Sequence, residues 1–191
     1  GYITSDEALE LRTAPKSMLV LGAGSVACEL AQFFRRIGVE VTIIQRSHHI
    51  LSGVDEDLAR EVESRFRAEG IHLFTGTQLH RFDVRNGRKV APFSHEGQDK
   101  SIDAEVIFQA LGRRPNTAGL DLHNAGVLVD NHRVCVDAEM RTQQPHIFAV
   151  GDVNGVHEIV HIAIQQGETA GHNATHPDTP PLLVDERLTL E

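Results

Sequence analysis

The sequence predicts an α/β fold built on a Rossmann-like, doubly wound parallel sheet with an antiparallel meander. The apolar run at residues 18–21 suits a strand that is buried on both faces. A glycine-rich turn and a helical segment follow it, and residues 39–44 are a second run, rich in β-branched residues. Another helical pattern and a third strand at 71–74 complete a βαβαβ order, which is typical of a mononucleotide-binding half.

Start and stop residues indicate the helices of this half. Before the first strand, Ser5 and the two acids after it predict a helix N-terminus. Residues 28–37 predict the helix after the glycine turn, and Gly38 ends it. The next helix is expected between Asp55 and Gly70. Its apolar positions at helical spacing are Leu58, Val62, Phe66 and Ala68.

Residues 77–103 change to short alternating runs, which predict the antiparallel meander. The runs at 79–84 and 88–93 flank Asn86-Gly87, a strong signal for a hairpin turn. A second turn is expected at 97–99, and a last strand at 104–108.

The chain after residue 116 has a different pattern. Short strands are predicted at 127–129 and 133–136, and an apolar strand at 145–150 ends in Gly151-Asp152. A carboxylate at the C-terminal end of a strand lies where open α/β sheets bind ligands. Residues 159–174 predict a helix, and a tail with three prolines follows it.

Size and composition indicate an ordinary globular protein. The 191 residues are enough for one large or two small domains, with 40% hydrophobic and 24% charged residues. The net charge of -9 argues against a nucleic-acid or anionic-membrane surface. No apolar run reaches spanning length and the N-terminus does not resemble a signal peptide, so a cytoplasmic protein is expected.

The glycine turn after the first strand predicts dinucleotide binding. Gly22 permits a tight exit from the strand, and Gly24 has no Cβ to keep a pyrophosphate from the backbone. Ala27 stands at the third glycine position, where a small residue lets helix and strand pack closely. The helix N-terminus offers unpaired N–H groups to the diphosphate. A glycine turn in an unrelated α/β unit is the alternative, and the complete βαβ order favours the dinucleotide.

The end of the second strand bears on the choice of dinucleotide. An NAD site usually has an acid there, which binds the ribose hydroxyls. This chain has Gln45, which does not repel a 2′-phosphate, and Arg46, which can pair with one. The sequence therefore favours NADP over NAD, although an exposed arginine at a strand end is also common.

The two cysteines, Cys28 and Cys135, are far apart in sequence and predict neither a redox pair nor a metal site. Cys28 is expected to pack as a small apolar residue.

Residues 157–161 formally fit the zinc-protease pattern H-E-x-x-H. That chemistry needs both histidines on one helical face and a third ligand. A helix is expected only to begin here, so we expect no metal site.

Three different motifs follow one another along nearly the whole chain, at residues 22–29, 110–116 and 147–152. Together they resemble the FAD-dependent pyridine nucleotide-disulfide oxidoreductases, which include dihydrolipoamide dehydrogenase, mercuric reductase and glutathione reductase. The resemblance implies an NAD(P)H-binding domain at 1–115 and a returning segment of the FAD-binding domain at 116–175. It implies that 176–191 lead to a dimer-interface domain. The family's N-terminal FAD half and its redox cysteines have no counterpart in these residues, so the chain alone is expected to be inactive.

The resemblance also implies roles for individual residues. The pyrophosphate and nicotinamide ribose would be bound by the stretch Gly22, Ala23, Gly24, Ser25, Val26, Ala27 and Glu29. Glu29 matches a glutamate near the nicotinamide and is the one catalytic candidate. Gln45 and Arg46 match the 2′-position, Leu79 a contact to adenine, and Gly112 a contact to the nicotinamide. Asp152 matches an aspartate at the FAD ribityl–pyrophosphate region, and the segment whose N–H groups face the flavin is matched by Glu158, Ile159, Val160 and His161.

Two functions are consistent with these patterns. The first is the NAD(P)H-binding portion of a homodimeric flavoenzyme that passes hydride between nicotinamide and FAD, as a dihydrolipoamide dehydrogenase-like disulfide reductase does. The second is a stand-alone NAD(P)-binding module with a sensing or regulatory role and no flavin chemistry.

Overall fold

The computed structural model describes residues 1–80, 82–85 and 88–185. The chain divides into two compact units, Gly1–Arg113 and Arg114–Glu191. Each unit has its own hydrophobic core.

The first unit is built on a four-stranded parallel sheet in the order β3-β2-β1-β8, which confirms the predicted fold class. A second, antiparallel sheet contains β4, β5, β6 and β7. The elements are α1 (Ser5–Leu9), β1 (Ser17–Leu21), α2 (Ser25–Arg36), β2 (Glu40–Ile44), α3 (Glu56–Ala68), β3 (His72–Phe74), β4 (Gln78–Leu79), β5 (Asp83–Arg85), β6 (Arg88–His95), β7 (Gln98–Ala104) and β8 (Val106–Gln109).

Strand β1 is buried along its whole length, because layers cover both faces of the sheet. Met18 and Val20 pack in a core with helices α2 and α3. Leu19 and Leu21 point to the opposite face, where they pack in a core with the antiparallel sheet. Both helices of the βαβαβ half therefore lie on one face of the parallel sheet, and the meander covers the other.

The meander differs from the sequence prediction in its breaks. The run at 79–84 is divided between β4 and β5, because these two strands pair with opposite ends of β6. The run at 104–108 is divided at Glu105, where the chain passes from the antiparallel sheet into the parallel one. The second turn comes one residue earlier than predicted, at Glu96 and Gly97, which both have positive φ as a two-residue hairpin requires. The Asn86-Gly87 turn lies outside the described residues.

Two helices begin elsewhere than the sequence indicates. Helix α2 starts at Ser25 rather than at residue 28, with Gly24 as its extended N-cap. The N-cap of α1 is Thr4, which forms a reciprocal capping box with Glu7. Helix α2 ends at Arg36, two residues before the predicted stop at Gly38.

The buried face of α3 is displaced from the predicted stripe. Leu58 is 60% exposed, whereas the buried residues are Ala59, Glu63 and Phe66. Of the predicted apolar positions Phe66 is buried, but the buried face also contains Glu63, a carboxylate that residue type would place at the surface.

The second unit contains a two-stranded hairpin and a long helix. The elements are β9 (Val129–Asp130), β10 (Arg133–Val134), a 3₁₀ turn (Gly151–Val153) and α4 (Val160–Thr175), the last in agreement with the predicted helix. The predicted strand at 145–150 is wrong: among the described residues only Phe148 makes a bridge there, to Arg141. A strand needs a neighbour along its length, and this segment has one only at a single residue.

No helix within the described ranges is long and apolar enough to cross a membrane.

Candidate dinucleotide-binding site

The glycine turn is fixed by the neighbouring strand end. Gly22 has a φ of +93°, which side chains rarely adopt. A Cβ on Gly22 would lie 3.0 Å from the carbonyl carbon of Ala110 and closer still to its oxygen. Backbone hydrogen bonds from Gly22 N to Ile44 O and from Ala110 N to Leu21 O hold this approach on both sides. Only glycine fits this position.

The turn lies at the point where the strand order reverses. Strand β1 is flanked by β2 on one side and by β8 on the other, all parallel. The chain returns from β1 through α2 to β2 on one side, and the later strand β8 joins on the other. In open α/β sheets a crevice opens at the carboxyl ends of such strands, and ligands bind there.

Gly24 meets a different environment from Gly22. Its φ is -74°, which any residue can adopt, and a Cβ added at Gly24 would have no neighbouring atom within 4 Å. Neither backbone strain nor packing in this unit therefore requires glycine at this position. A dinucleotide pyrophosphate that approached the backbone here would need a residue without a side chain.

The amides that face this space come from the first turn of α2. No side chain caps this helix, and its first backbone bond is from Cys28 N to Gly24 O at 2.9 Å. The amides of Ser25, Val26 and Ala27 precede that bond and have no partner within the helix. With 12 residues and no acid in its first turn, α2 presents an unopposed positive dipole end to an anion.

The small residues of the turn pack against the sheet. Ala23 and Ala27 are each 1% exposed and belong to the core beneath α2, which fits the close packing expected for Ala27. Val26 is half-buried at the edge of the same core, and Ser25 is exposed.

The end of β2 is held by the loop after β3. Gln45 N donates to Phe74 O at 2.8 Å, and Gln45 O accepts from both the amide and the hydroxyl of Thr77. Ser47 O accepts from Gly76 N at 2.7 Å. The side chain of Gln45 is half-buried and Arg46 is exposed, so the backbone is fixed while the arginine is free to meet a ligand phosphate.

Leu79 and Gly112 reach this region from two other elements. Leu79 in β4 follows Thr77 by two residues and packs in the core shared by the two sheets. Gly112 follows β8, has a φ of +130°, and would have no atom within 4 Å of a Cβ. Gly112 therefore faces open space, as Gly24 does. Unlike Gly24, it has a positive φ that favours glycine.

Glu29 and Cys28 occupy the second turn of α2. Glu29 is exposed, which leaves the assignment of a catalytic role to it an untested prediction. Cys28 is 6% exposed and its Sγ donates to Ala23 O at 3.5 Å. Burial first, and the charge of Glu29 second, raise the pKa of the Cys28 thiol to about 12. The thiol is therefore an inert packing group, as predicted.

The remaining candidates lie in the second unit. Asp152 occupies the 3₁₀ turn, which is tied to α4 because Gln166 Oε1 accepts from Gly151 N at 2.7 Å and from Asn154 Nδ2 at 2.9 Å. Ile159 is the N-cap of α4 and has no side-chain cap, and its first turn contains Val160 and His161. Val160 and His161, two of the four residues that the family resemblance assigns to the flavin, are thus in the first turn of a helix, where N–H groups have no partner within the helix.

The H-E-x-x-H pattern is not on one helical face. His157 and Glu158 precede α4, which begins at Val160. Among the described residues, no group of three His, Cys, Asp or Glu side chains could hold a metal ion.

The structure thus brings Gly22, Gly24, Gln45 and Gly112 to one end of the parallel sheet, with Leu79 nearby. Two residues of this region were not predicted from the sequence. Thr77 belongs to no motif, and Glu63 is one of several charged residues on α3, which gave no sign that it is buried.

Comparison with known proteins identifies the family. The model for pyridine nucleotide-disulphide oxidoreductases matches residues 1–167. The chain belongs to this family. Its members are oxidoreductases that use FAD and NAD(P), which agrees with the resemblance found in the sequence.

Relatives in the family are enzymes of greater length. The chain is 33% identical to dihydrolipoyl dehydrogenase of Mycobacterium tuberculosis, over 94% of this chain and 39% of that protein. It is also 33% identical to mercuric reductase of Staphylococcus aureus, over 91% of this chain and 32% of that protein. The chain therefore spans about two fifths of the length of the dihydrolipoyl dehydrogenases it matches.

Solved structures of family members share the fold. The HOCl-induced flavoprotein disulfide reductase RclA of Escherichia coli matches with a TM-score of 0.85 and 24% identity, over 97% of this chain and 41% of that one. A Cu(II) complex of the same reductase matches with a TM-score of 0.80 and 25% identity, over 89% of this chain and 38% of that one.

Proposed function

We propose that this chain is the part of a flavin-dependent oxidoreductase that binds the nicotinamide dinucleotide, with NADPH preferred over NADH. The observation that carries the proposal is the contrast between two glycines of one turn. Gly22 is required by backbone geometry and by Ala110, whereas Gly24 faces open space beside the amides of α2. That space explains Gly24 if a pyrophosphate occupies it.

Different residues bind different parts of the dinucleotide. The amides of Ser25, Val26 and Ala27 hold the pyrophosphate, together with the open backbone at Gly22, Ala23 and Gly24. Gln45 and Arg46 hold the adenosine ribose and its 2′-phosphate, and Leu79 borders adenine. Gly112 and Glu29 belong to the nicotinamide end. The roles at the pyrophosphate and the 2′-phosphate are supported by positions at the carboxyl end of the parallel sheet, whereas those of Leu79, Gly112 and Glu29 rest on the family resemblance.

The preference for NADPH rests on charge. A 2′-phosphate carries negative charge that an acid at position 45 would repel, and Gln45 is neutral. Arg46 is exposed on a backbone that the pairing of Gln45 with Thr77 holds in place. The planar guanidinium of an arginine suits bidentate recognition of a phosphate.

The second unit contributes to an FAD site in the whole enzyme. Asp152 lies in the turn that Gln166 holds, and the N-terminus of α4 offers unpaired amides at Val160 and His161. Bound nicotinamide and flavin supply the hydride chemistry, and these residues bind and orient them. The enzyme would be a homodimeric disulfide reductase similar to dihydrolipoyl dehydrogenase, and 176–191 would lead towards its interface domain.

The test is a side-by-side titration of the chain with NADPH and NADH, followed by the fluorescence of the reduced nicotinamide. We expect NADPH to bind about tenfold more tightly, which corresponds to one charged pair with the phosphate. Arg46→Ala should narrow the difference, whereas Arg12→Ala, at an exposed arginine before β1, should leave it unchanged. Equal affinities in the unaltered chain would refute the NADPH preference, and no binding of either would refute the proposal.

A further inference from the structure

Glu63 is a fully buried carboxylate that the proposed site does not use directly. It lies in the middle of α3, with no exposed side-chain surface. Its neighbours on the buried face of that helix are Ala59 and Phe66. A charged group in such a place is costly unless each of its oxygens is paired.

The two oxygens of Glu63 have different partners. Oε2 accepts from Nη1 of Arg60 and from Nη1 of Arg67, each at 3.2 Å. Both arginines are about half exposed, so these bonds reach out to the surface of α3. Oε1 accepts instead from the backbone N–H of Ile50, at 3.2 Å. That amide belongs to the loop after β2, so Glu63 joins helix and loop.

The loop that Glu63 holds is the one that carries Arg46. At its start, Gln45 is held by Thr77. At its far end, Ile50 is completely buried and its amide has Glu63 as its partner. Arg46 and the next three residues lie between these two points. Between them, Ser47 O accepts from Gly76 N, so residues 48–50 are the part of the loop that depends on the second point. Releasing that point would loosen the chain that follows Arg46 and Ser47 without touching the arginine itself.

The same loop end also reaches the glycine turn. Leu51, which adopts a φ of +51°, donates its N–H to Ala23 O at 2.7 Å. Glu63 therefore acts through Ile50 and Leu51 on both parts of the site, the 2′-position and the pyrophosphate turn. A side chain that served only to stabilise α3 could pair with Arg60 and Arg67 without the third bond.

We infer that Glu63 is a positioning residue for cofactor selection: through its bond to Ile50 it fixes the loop that presents Arg46 to the 2′-phosphate of NADPH. The inference rests on the proposed function, since that function assigns the 2′-phosphate to Arg46. The role of Glu63 is to be an acceptor for a backbone amide, and its charge serves the two arginines.

The substitution that tests this is Glu63→Met, which keeps the shape but removes the acceptor. Hydrogen–deuterium exchange of the loop amides should rise about tenfold or more, as expected when a bond to a charged acceptor is lost. The ratio of the NADH to the NADPH dissociation constant should fall towards one. Glu63→Gln keeps an acceptor for Ile50 and should preserve the ratio to within about twofold. Glu61→Met, at an exposed glutamate of the same helix, is the matched control and should change neither quantity.

The outcomes are separable from a failure of the proposed function. If the unaltered chain prefers NADPH and folded Glu63→Met has the same ratio, the inference is overturned. A ratio that falls equally in Glu63→Gln would mean that the charge, and not the acceptor, is what matters, which also overturns it. If the unaltered chain binds neither cofactor, the proposed function fails, and the exchange rates still decide whether Glu63 holds the loop. Should Glu63→Met not fold, Glu63→Asp, too short to reach Ile50, is expected to give the same loss.

Discussion

The backbone of Gly22 lies against the carbonyl group of Ala110, with no room for a side chain between them. This approach joins the carboxyl ends of β1 and β8, the two strands at which the order of the sheet reverses. Together with the positive φ of Gly22, it explains the first glycine of the turn without a ligand. The second, Gly24, is two residues away and has no such neighbour.

The two glycines are therefore expected to respond differently to the same substitution. Gly24→Val should fold, at a cost of about 1 kcal/mol or less for the altered N-cap, and should bind neither NADPH nor NADH. Gly22→Val should lose stability as well, because a positive φ on a β-branched residue costs about 1–3 kcal/mol before the clash with Ala110 is counted. Thermal unfolding and cofactor titration of both variants make the comparison. Normal cofactor binding by Gly24→Val would contradict the position assigned to the pyrophosphate.

Gln45→Glu should reverse the cofactor preference. The new carboxylate would accept hydrogen bonds from the ribose hydroxyls of NADH and would repel the 2′-phosphate of NADPH. We expect the ratio of dissociation constants to shift towards NADH by more than the roughly tenfold that separates the two cofactors in the unaltered chain, so that NADH binds more tightly. Gln32→Glu, on α2, introduces the same charge beside Glu69 and serves as the control. A preference for NADPH that survives the change at position 45 would argue against this loop as the 2′-site.

Glu69 should make stability depend on pH below about 4.5. Hydrogen bonds from Arg36 first, and from Arg65 and Gln32 as well, lower the pKa of Glu69 from 4.5 to about 2. A lowered pKa in the folded state means that the unfolded chain binds more protons, so this contribution is present above pH 4.5 and is lost as the pH falls towards 2. Thermal unfolding between pH 6 and pH 2 should show a smaller decrease for Glu69→Gln than for the unaltered chain. An identical decrease in Glu69→Gln and the exposed-site control Glu61→Gln would contradict the role of the cluster.

The two thiols should differ in reactivity. Cys28 is buried and burial raises its pKa to about 12, so almost no thiolate forms at pH 8. Cys135 is half-buried. Titration with a disulfide reagent at pH 8 should modify Cys135 rapidly and Cys28 only after unfolding in guanidinium. Rapid modification of both thiols in the folded chain would show that Cys28 is more accessible than its packing indicates.

Patterns that depend on neighbours in sequence were sufficient for much of the fold. The apolar run at β1, the turn glycines and the period of α2 and α4 are local signals, and the structure has each element within a few residues. The predicted strand at 145–150 failed because its composition is that of a strand, while its bonds to the segment opposite, from Thr142 N to Ile147 O and from Ala149 N to Met140 O, make a single bridge. The composition of a segment shows whether it can form a strand, whereas strand pairing depends on distant parts of the chain.

The candidate site likewise combines local motifs, which the sequence shows, with contacts between distant residues, which it does not show. Gly22 and Gly24 are alike in the sequence, and only the structure shows that Gly22 needs glycine for its φ and its contact with Ala110 whereas Gly24 faces open space. Thr77 and Glu63 act through bonds to Gln45 and Ile50, which are 32 and 13 residues away. Contacts at such separations leave no spacing that a motif can record. The assignments that rest on family resemblance, Asp152 and Glu158 among them, remain predictions.

The parallel sheet has a protected border on each side. Next to β8, Ile3 donates to Ile107 O and accepts from Gln109 N, so the first residues occupy the strand's outer hydrogen-bonding groups. On the opposite border, β3 is only three residues long. A foreign strand would find few open groups on either side, and edge-to-edge aggregation is suppressed accordingly. Shortening the chain past Ile3 would uncover the outer hydrogen-bonding groups of β8 and leave them open to a strand of another molecule.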